Sequence, residues 1–179
     1  GYGFEIHEMS EMAAIEFGQL AISNQPSFHY PYLFSYIGKP EMAQPLLKQL
    51  LTQTFDDTPT GYPGDEDNGS MAAWYIFNSL GFYPVTPGTG EYVIGMPLLD
   101  KATIALSNGK TLTIETSPNQ PQHQFIHKVK RKNLPHTDLF FTHEDLLEGG
   151  TISYRLGIVP HAAYHHESAL PYSLSEEID

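Results

Sequence analysis

The sequence predicts an α+β fold in which helical hairpins come first and a small antiparallel β segment follows. Two observations carry this. As far as Phe82, apolar residues recur at three- and four-residue steps between polar loops; beyond Pro84, Pro87, Gly88 and Gly90 the chain breaks into short alternating runs. The expected division places residues 1–84 in the helical part and 85–179 in the β segment with a C-terminal extension. A chain of 179 residues can bury one substantial core.

His7 to Ala21 reads as the first helix, with Met9, Ala13, Phe17 and Leu20 on one face. Ser23 to Ser27 breaks it in a loop rich in side-chain oxygens, where Pro26 biases Gln25 toward extended geometry. The aromatic stretch Phe28 to Ile37 reads as core packing, with polar ring tips that could also line a pocket. Glu41 to Phe55 is the second long helix: Pro40 suits its first turn, and Leu46, Leu47, Leu50 and Leu51 form its buried stripe. Ser70 to Leu80 is the third, stopped by Gly81, with Trp74 in the core. Strands are expected at 92–94, 102–106, 111–115, 124–129 and 152–156. Asn108-Gly109 signals a hairpin with a primed turn, and Thr142 to Asp145 a short capped turn ended by Gly149-Gly150. His161, His165 and His166 lack a supporting acid and read as surface extension.

Chemistry concentrates in Gly61 to Ser70, where the consecutive acids Asp65, Glu66 and Asp67 precede the third helix. Two readings stand side by side. Asp67 or Asn68 caps the helix, or an ionised carboxylate on a glycine-permitted turn serves as a general base. A helix-loop-helix calcium loop does not fit, because that signature needs acids at alternate positions and a glycine sixth. Counted from Asp65, the glycine comes fifth.

Composition narrows the partners. With 21 acids against 9 Lys and Arg, the net charge of -12 argues against nucleic acid and anionic membrane as partners, both of which need a basic face. Cysteine is absent, so neither disulfides nor thiolate metal sites exist and the compartment cannot be read. No run approaches the roughly 20 apolar residues of a membrane span. The abrupt start at Gly1 reads as a processed product or a fragment.

Three stretches together carry a resemblance. His7-Glu8, Asn24-Gln25-Pro26-Ser27-Phe28-His29-Tyr30-Pro31-Tyr32-Leu33, and Gly61 to Trp74 running on through Gly81-Phe82-Tyr83-Pro84-Val85 to Gly95 are similar to the C-terminal part of glycoside hydrolase family 92. These are calcium-dependent, inverting exo-alpha-mannosidases. The resemblance extends through Asn108-Gly109-Lys110 and Thr142 to Asp145, to about Leu156. It implies helices from an (alpha/alpha)6-type barrel followed by the β segment, and a mannose-containing glycan as substrate.

By the same resemblance, Asp67 matches the general base and Asp65 the carboxylate that helps hold it and the water. Asn24 and Gln25 match the metal loop, with Gln25 standing where the family usually has glutamate. His7 and Glu8 match a pair that contacts the leaving-group sugar in members cutting alpha-1,2 linkages. The general acid belongs to a glutamate upstream of Gly1, and neither Glu5 nor Glu8 matches its motif. The expectation is a fragment inactive alone, whose partner is the missing N-terminal part of the parent enzyme. The alternative is a non-catalytic carbohydrate-binding or scaffold module, for which paired acids are unnecessary.

Overall fold

The computed structural model describes residues 6–14, 16, 20–161 and 169–177, without the side chains of residues 7, 8, 11, 14, 176 and 177. Helix α1 spans His7–Ala14, shorter than the periodicity suggests, and Glu16 beyond it has a left-handed φ of 56°. A one-turn 3-10 helix follows over Gln25–Ser27, so Gln25 opens a helical turn instead of being extended; Asn24 before it is the extended residue. A second 3-10 turn, Tyr30–Tyr32, leads into the short α2, Leu33–Tyr36. The long α3, Pro40–Gln53, takes Pro40 in its first turn, where a missing N–H removes no helical bond. Helix α4 covers Ser70–Leu80, and the left-handed Gly81 ends it as expected.

The β segment makes two sheets. Strands β1 (Phe82–Tyr83), β2 (Glu91–Ile94) and β7 (Phe140–Thr142) form an antiparallel trio with β2 in the middle. The larger sheet takes β3 (Lys101–Ala105), β4 (Thr111–Thr116), β5 (Phe125–Arg131), β6 (Leu134–His136) and β8 (Gly150–Gly157) in the order β3-β4-β8-β5-β6. It is mixed, which corrects the antiparallel expectation: β4 and β8 run parallel, Leu112 opposite Gly150 through Thr116 opposite Tyr154. The intervening β5, β6, β7 and α5 (His143–Leu147) form the crossover that such a pairing requires.

The turns also differ in kind from expectation. The Asn108-Gly109 hairpin joins β3 to β4, but only Gly109 has positive φ, 81°. The Gly109 amide donates to the Leu106 carbonyl, and the Leu106 amide to that of Lys110. This is a three-residue loop closing on a glycine bulge. The primed turn lies instead at Lys132-Asn133, with φ of 50° and 67°, between the paired Arg131 and Leu134. Thr142 and Asp145 exchange bonds in a capping box at the start of α5, as the motif predicts.

Helices and sheets share one core running from Ile22 to Leu156, with Trp74, Tyr32, Leu47, Leu50, Ile114 and Phe141 fully buried. Two polar residues of α3 tie it to the sheet side. The buried Gln44 carbonyl oxygen accepts from the Ile126 amide at 2.9 Å, which gives an edge of β5 a partner. Lys48, also buried, donates to the carbonyls of Gln120 and His123. Of the tail histidines, His161 is exposed and lies 5.0 Å from the His127 ring; His165 and His166 fall outside the described residues.

Candidate active site

The site is built on Trp74. One turn into α4 its indole is fully buried, and its Nε1–H donates to the Phe28 carbonyl at 3.1 Å. That bond pins the loop following Gln25–Ser27 to the helix following the acidic turn. Beneath it, the Tyr32 hydroxyl donates to Asn78 Oδ1 at 2.5 Å, and Asn78 Nδ2 donates to the Trp74 carbonyl at 2.7 Å. Two loops separated by more than forty residues are thereby fixed on one buried, hydrogen-bonded frame.

On that frame the backbone turns sharply. Asp67, Asn68 and Gly69 adopt successive left-handed conformations, φ 56°, 57° and 98°. Asp and Asn tolerate this region better than other side chains, and glycine enters it freely. The cap expectation is corrected, because the side chain of neither Asp67 nor Asn68 caps the helix. Gly69 occupies the cap position without a side chain, and Glu66 reaches over the turn. Its Oε2 accepts from the Gly69 amide at 2.6 Å and its Oε1 from the Ala72 amide at 3.2 Å. A carboxylate there satisfies orphan donors and meets the positive end of the helix dipole.

With Glu66 holding the helix start, the Asp67 carboxylate points elsewhere. It accepts from Gln25 Nε2 at 2.5 Å through Oδ2. Asp65, Asp67 and Gln25 are all exposed, and Asn24, next to Gln25 in sequence, is half-buried. The Asn24-Gln25 loop and the acidic turn therefore meet through Gln25 and Asp67. The structure leaves His7 and Glu8 at the start of α1 with side chains outside the described residues. Glu66 is the residue that sequence reasoning passed over. Its signal was its place three residues ahead of the glycine that opens the helix.

The oxygen chemistry of Asn24 and Gln25 suits a hard cation, and Gln25 keeps its Oε1 as an acceptor while its amide N–H is engaged by Asp67. Such an ion takes roughly six to eight oxygens. Among the described residues no cluster of three or more His, Cys, Asp or Glu could hold a metal.

Known proteins resemble this chain over most of its length. The model of the glycosyl hydrolase family 92 catalytic domain matches residues 3–158. An uncharacterized secreted glycosidase of Arthroderma benhamiae is 30% identical over 141 residues, 77% of this chain and 18% of that protein. Among solved structures, a family GH92 inverting mannosidase from Bacteroides thetaiotaomicron is 39% identical with a TM-score of 0.83, covering 97% of this chain and 24% of that one. A second alpha-mannosidase of the family from the same bacterium, solved with mannoimidazole, is 27% identical with a TM-score of 0.82, covering 86% and 20% respectively. The chain spans about a quarter or less of the length of these relatives. Its α+β fold matches a part of theirs, and the described helices do not by themselves close an (alpha/alpha)6 barrel. By its sequence match and its fold, this chain belongs to glycosyl hydrolase family 92.

Proposed function

We propose that this chain supplies the general-base side of a calcium-dependent, inverting exo-alpha-mannosidase acting on alpha-1,2-linked mannose in glycans, with its helices forming part of an (alpha/alpha)6-type barrel. The observation that carries the reading is the bond from Gln25 Nε2 to Asp67 Oδ2, which joins the two loops that matter. Asp67 acts as the base and takes a proton from the attacking water. Asp65, two residues before it on the same turn, helps hold that water. Gln25 orients the Asp67 carboxylate, and Glu66 keeps the helix start satisfied so that Asp67 is not drawn into capping.

Inversion places the water and the leaving group on opposite faces of the sugar, with the two carboxyl groups about 6.5 to 9.5 Å apart. The proton donor comes from residues outside this chain, so the chain alone does not turn over substrate. Asn24 and Gln25 contribute oxygens to the calcium site, where the ion, when bound, supplies electrostatic stabilisation to the sugar's ring hydroxyls. His7 and Glu8 contact the sugar on the leaving-group side.

The test is made in the full-length enzyme, by mannose release from alpha-1,2-mannobiose. Replacing Asp67 by Asn lowers kcat by about 10²- to 10⁴-fold with an unchanged melting temperature. Activity within a few-fold of wild type would sink the assignment. In the same assay, activity that survives thorough chelation removes calcium from the scheme, and an unaltered ratio of alpha-1,2 to alpha-1,3 cleavage in His7→Ala/Glu8→Ala removes that pair.

A further inference from the structure

The positive charge of this acidic chain is gathered in one place. Of its 9 Lys and Arg residues, Lys128, Lys130, Arg131, Lys132 and Arg155 all belong to β5, the turn after it, and β8. Arg131 and Lys132 are neutralised, Arg131 by Asp145 and Glu148 and Lys132 by Glu148. Among the described residues the other three have no such neutralising partner. Lys128 and Arg155 stand directly opposite each other on adjacent strands, and Lys130 lies opposite Ser153 two residues further along the same face. Their alternation with the buried Val129, Tyr154 and Leu156 turns all three outward. No carboxylate among the described residues pairs with any of them.

Like charges placed directly opposite on neighbouring strands destabilise a sheet. Here they also share a concavity of about 550 Å³, whose remaining lining includes Ser117, Ser153 and Asn133. Glu115, the one acid in the lining, is engaged by Lys101 at 3.0 Å. The lining brings three cations together with hydroxyl and amide groups that can also donate. A guanidinium beside ammonium groups suits an oxyanion, which accepts charge-assisted hydrogen bonds and offsets the mutual repulsion.

From this we infer that the outer face of the five-stranded sheet holds an oxyanion site, formed by Lys128, Lys130 and Arg155, for a phosphate or sulfate group. It lies on the sheet, on residues other than those given to the mannosidase reading, and stands independently of that reading. Because the chain as a whole carries a charge of -12, attraction is confined to the pocket and weakens with salt.

The experiment is calorimetric titration of the full-length protein at low ionic strength with inorganic phosphate, with a sugar phosphate, and with the corresponding neutral sugar. The expected result is one saturable site for phosphate, a weakened affinity on adding salt, and no heat with the neutral sugar. In Lys128→Gln/Arg155→Gln the dissociation constant rises about tenfold or more, in keeping with loss of charge-assisted bonds. Lys39→Gln, which removes a charge at the start of α3, leaves it within about twofold. Thermal melting provides the folding control: phosphate raises the melting temperature of the wild type and not of the double variant. A sugar phosphate that binds more tightly than inorganic phosphate identifies a glycan-borne group; equal affinity identifies the free anion. No saturable phosphate binding, or equal binding by the folded double variant, overturns the site.

Discussion

Two helices of this molecule begin among acidic residues, and they treat those residues differently. At α5 the chain has Thr142, Glu144 and Asp145, and the capping box closes on itself: the Asp145 amide donates to Thr142 Oγ1 at 3.1 Å and the Thr142 amide to Asp145 Oδ2 at 3.0 Å. Asp145 is further engaged by Arg131 at 2.9 Å. At α4 the chain has Asp65, Glu66 and Asp67, and it is the Glu66 carboxylate that takes the Gly69 and Ala72 amides. Asp67 is turned out by a left-handed backbone and held from another loop. An acid at a helix start is therefore structural or available according to the backbone it sits on, and residue type does not decide which.

The largest effect that probes this contrast comes from the frame beneath the α4 turn. Trp74→Ala should cost about 3–5 kcal/mol, measured by denaturant unfolding, because it empties a fully buried site and removes the donor to Phe28. A cost under about 1 kcal/mol would mean that the two loops are not held through this residue. Next come the caps. Glu66→Ala and Thr142→Ala should each cost about 0.5–2 kcal/mol. The first should also depress mannosidase activity of the full-length enzyme while the second leaves it intact. Equal activity in the two variants would break the distinction between the helix starts.

The smallest effect concerns Glu148, just past α5. Hydrogen bonds from Lys132 and Arg131, and then their charges, hold its carboxyl pKa down from the ordinary 4.5 to about 2. Depression of a folded-state carboxyl value stabilises the protein above the unfolded value and loses that contribution as pH falls through the folded one. The stability difference between wild type and Glu148→Gln should accordingly be present at pH 7, shrink below about pH 4.5 and vanish near pH 2. Its persistence at pH 2 would show that the ion pairs are not its source.

Much of the fold was visible in sequence, for reasons that can be traced to particular residues. Ser70–Leu80 is bounded by a glycine that only a left-handed stop requires, and the α3 leucines declare their buried face. The turns were half visible. Asn108-Gly109 marks a hairpin, but its type depends on whether Asn108 joins Gly109 at positive φ, and it does not. Lys132-Asn133 carries no glycine, so its primed turn is imposed by the pairing of β5 with β6 and by the Glu148 clamp on Lys132. The parallel β4–β8 pairing has no local signal at all, since strand order depends on contacts far apart in sequence. The same limit applies to the site. The acidic turn and the Asn24-Gln25 loop each stand out, whereas three adjacent acids look alike until backbone dihedrals assign Glu66 to the helix and Asp67 to Gln25.

The place of β8 has a consequence for how the chain is made. It is the last strand among the described residues and the middle of its sheet, with β4 on one side and β5 on the other. During synthesis the β3–β4 and β5–β6 hairpins emerge with their inner edges unpaired and wait for Gly150–Gly157. Open edges on apolar strands recruit other chains. A chain terminated before Gly150 should therefore accumulate as aggregate, measured by the soluble fraction after expression, whereas soluble monomer would show that the hairpins shield themselves. For this protein, the interval between the emergence of β4 and that of β8 is the period of greatest exposure, and a chaperone would be needed most then.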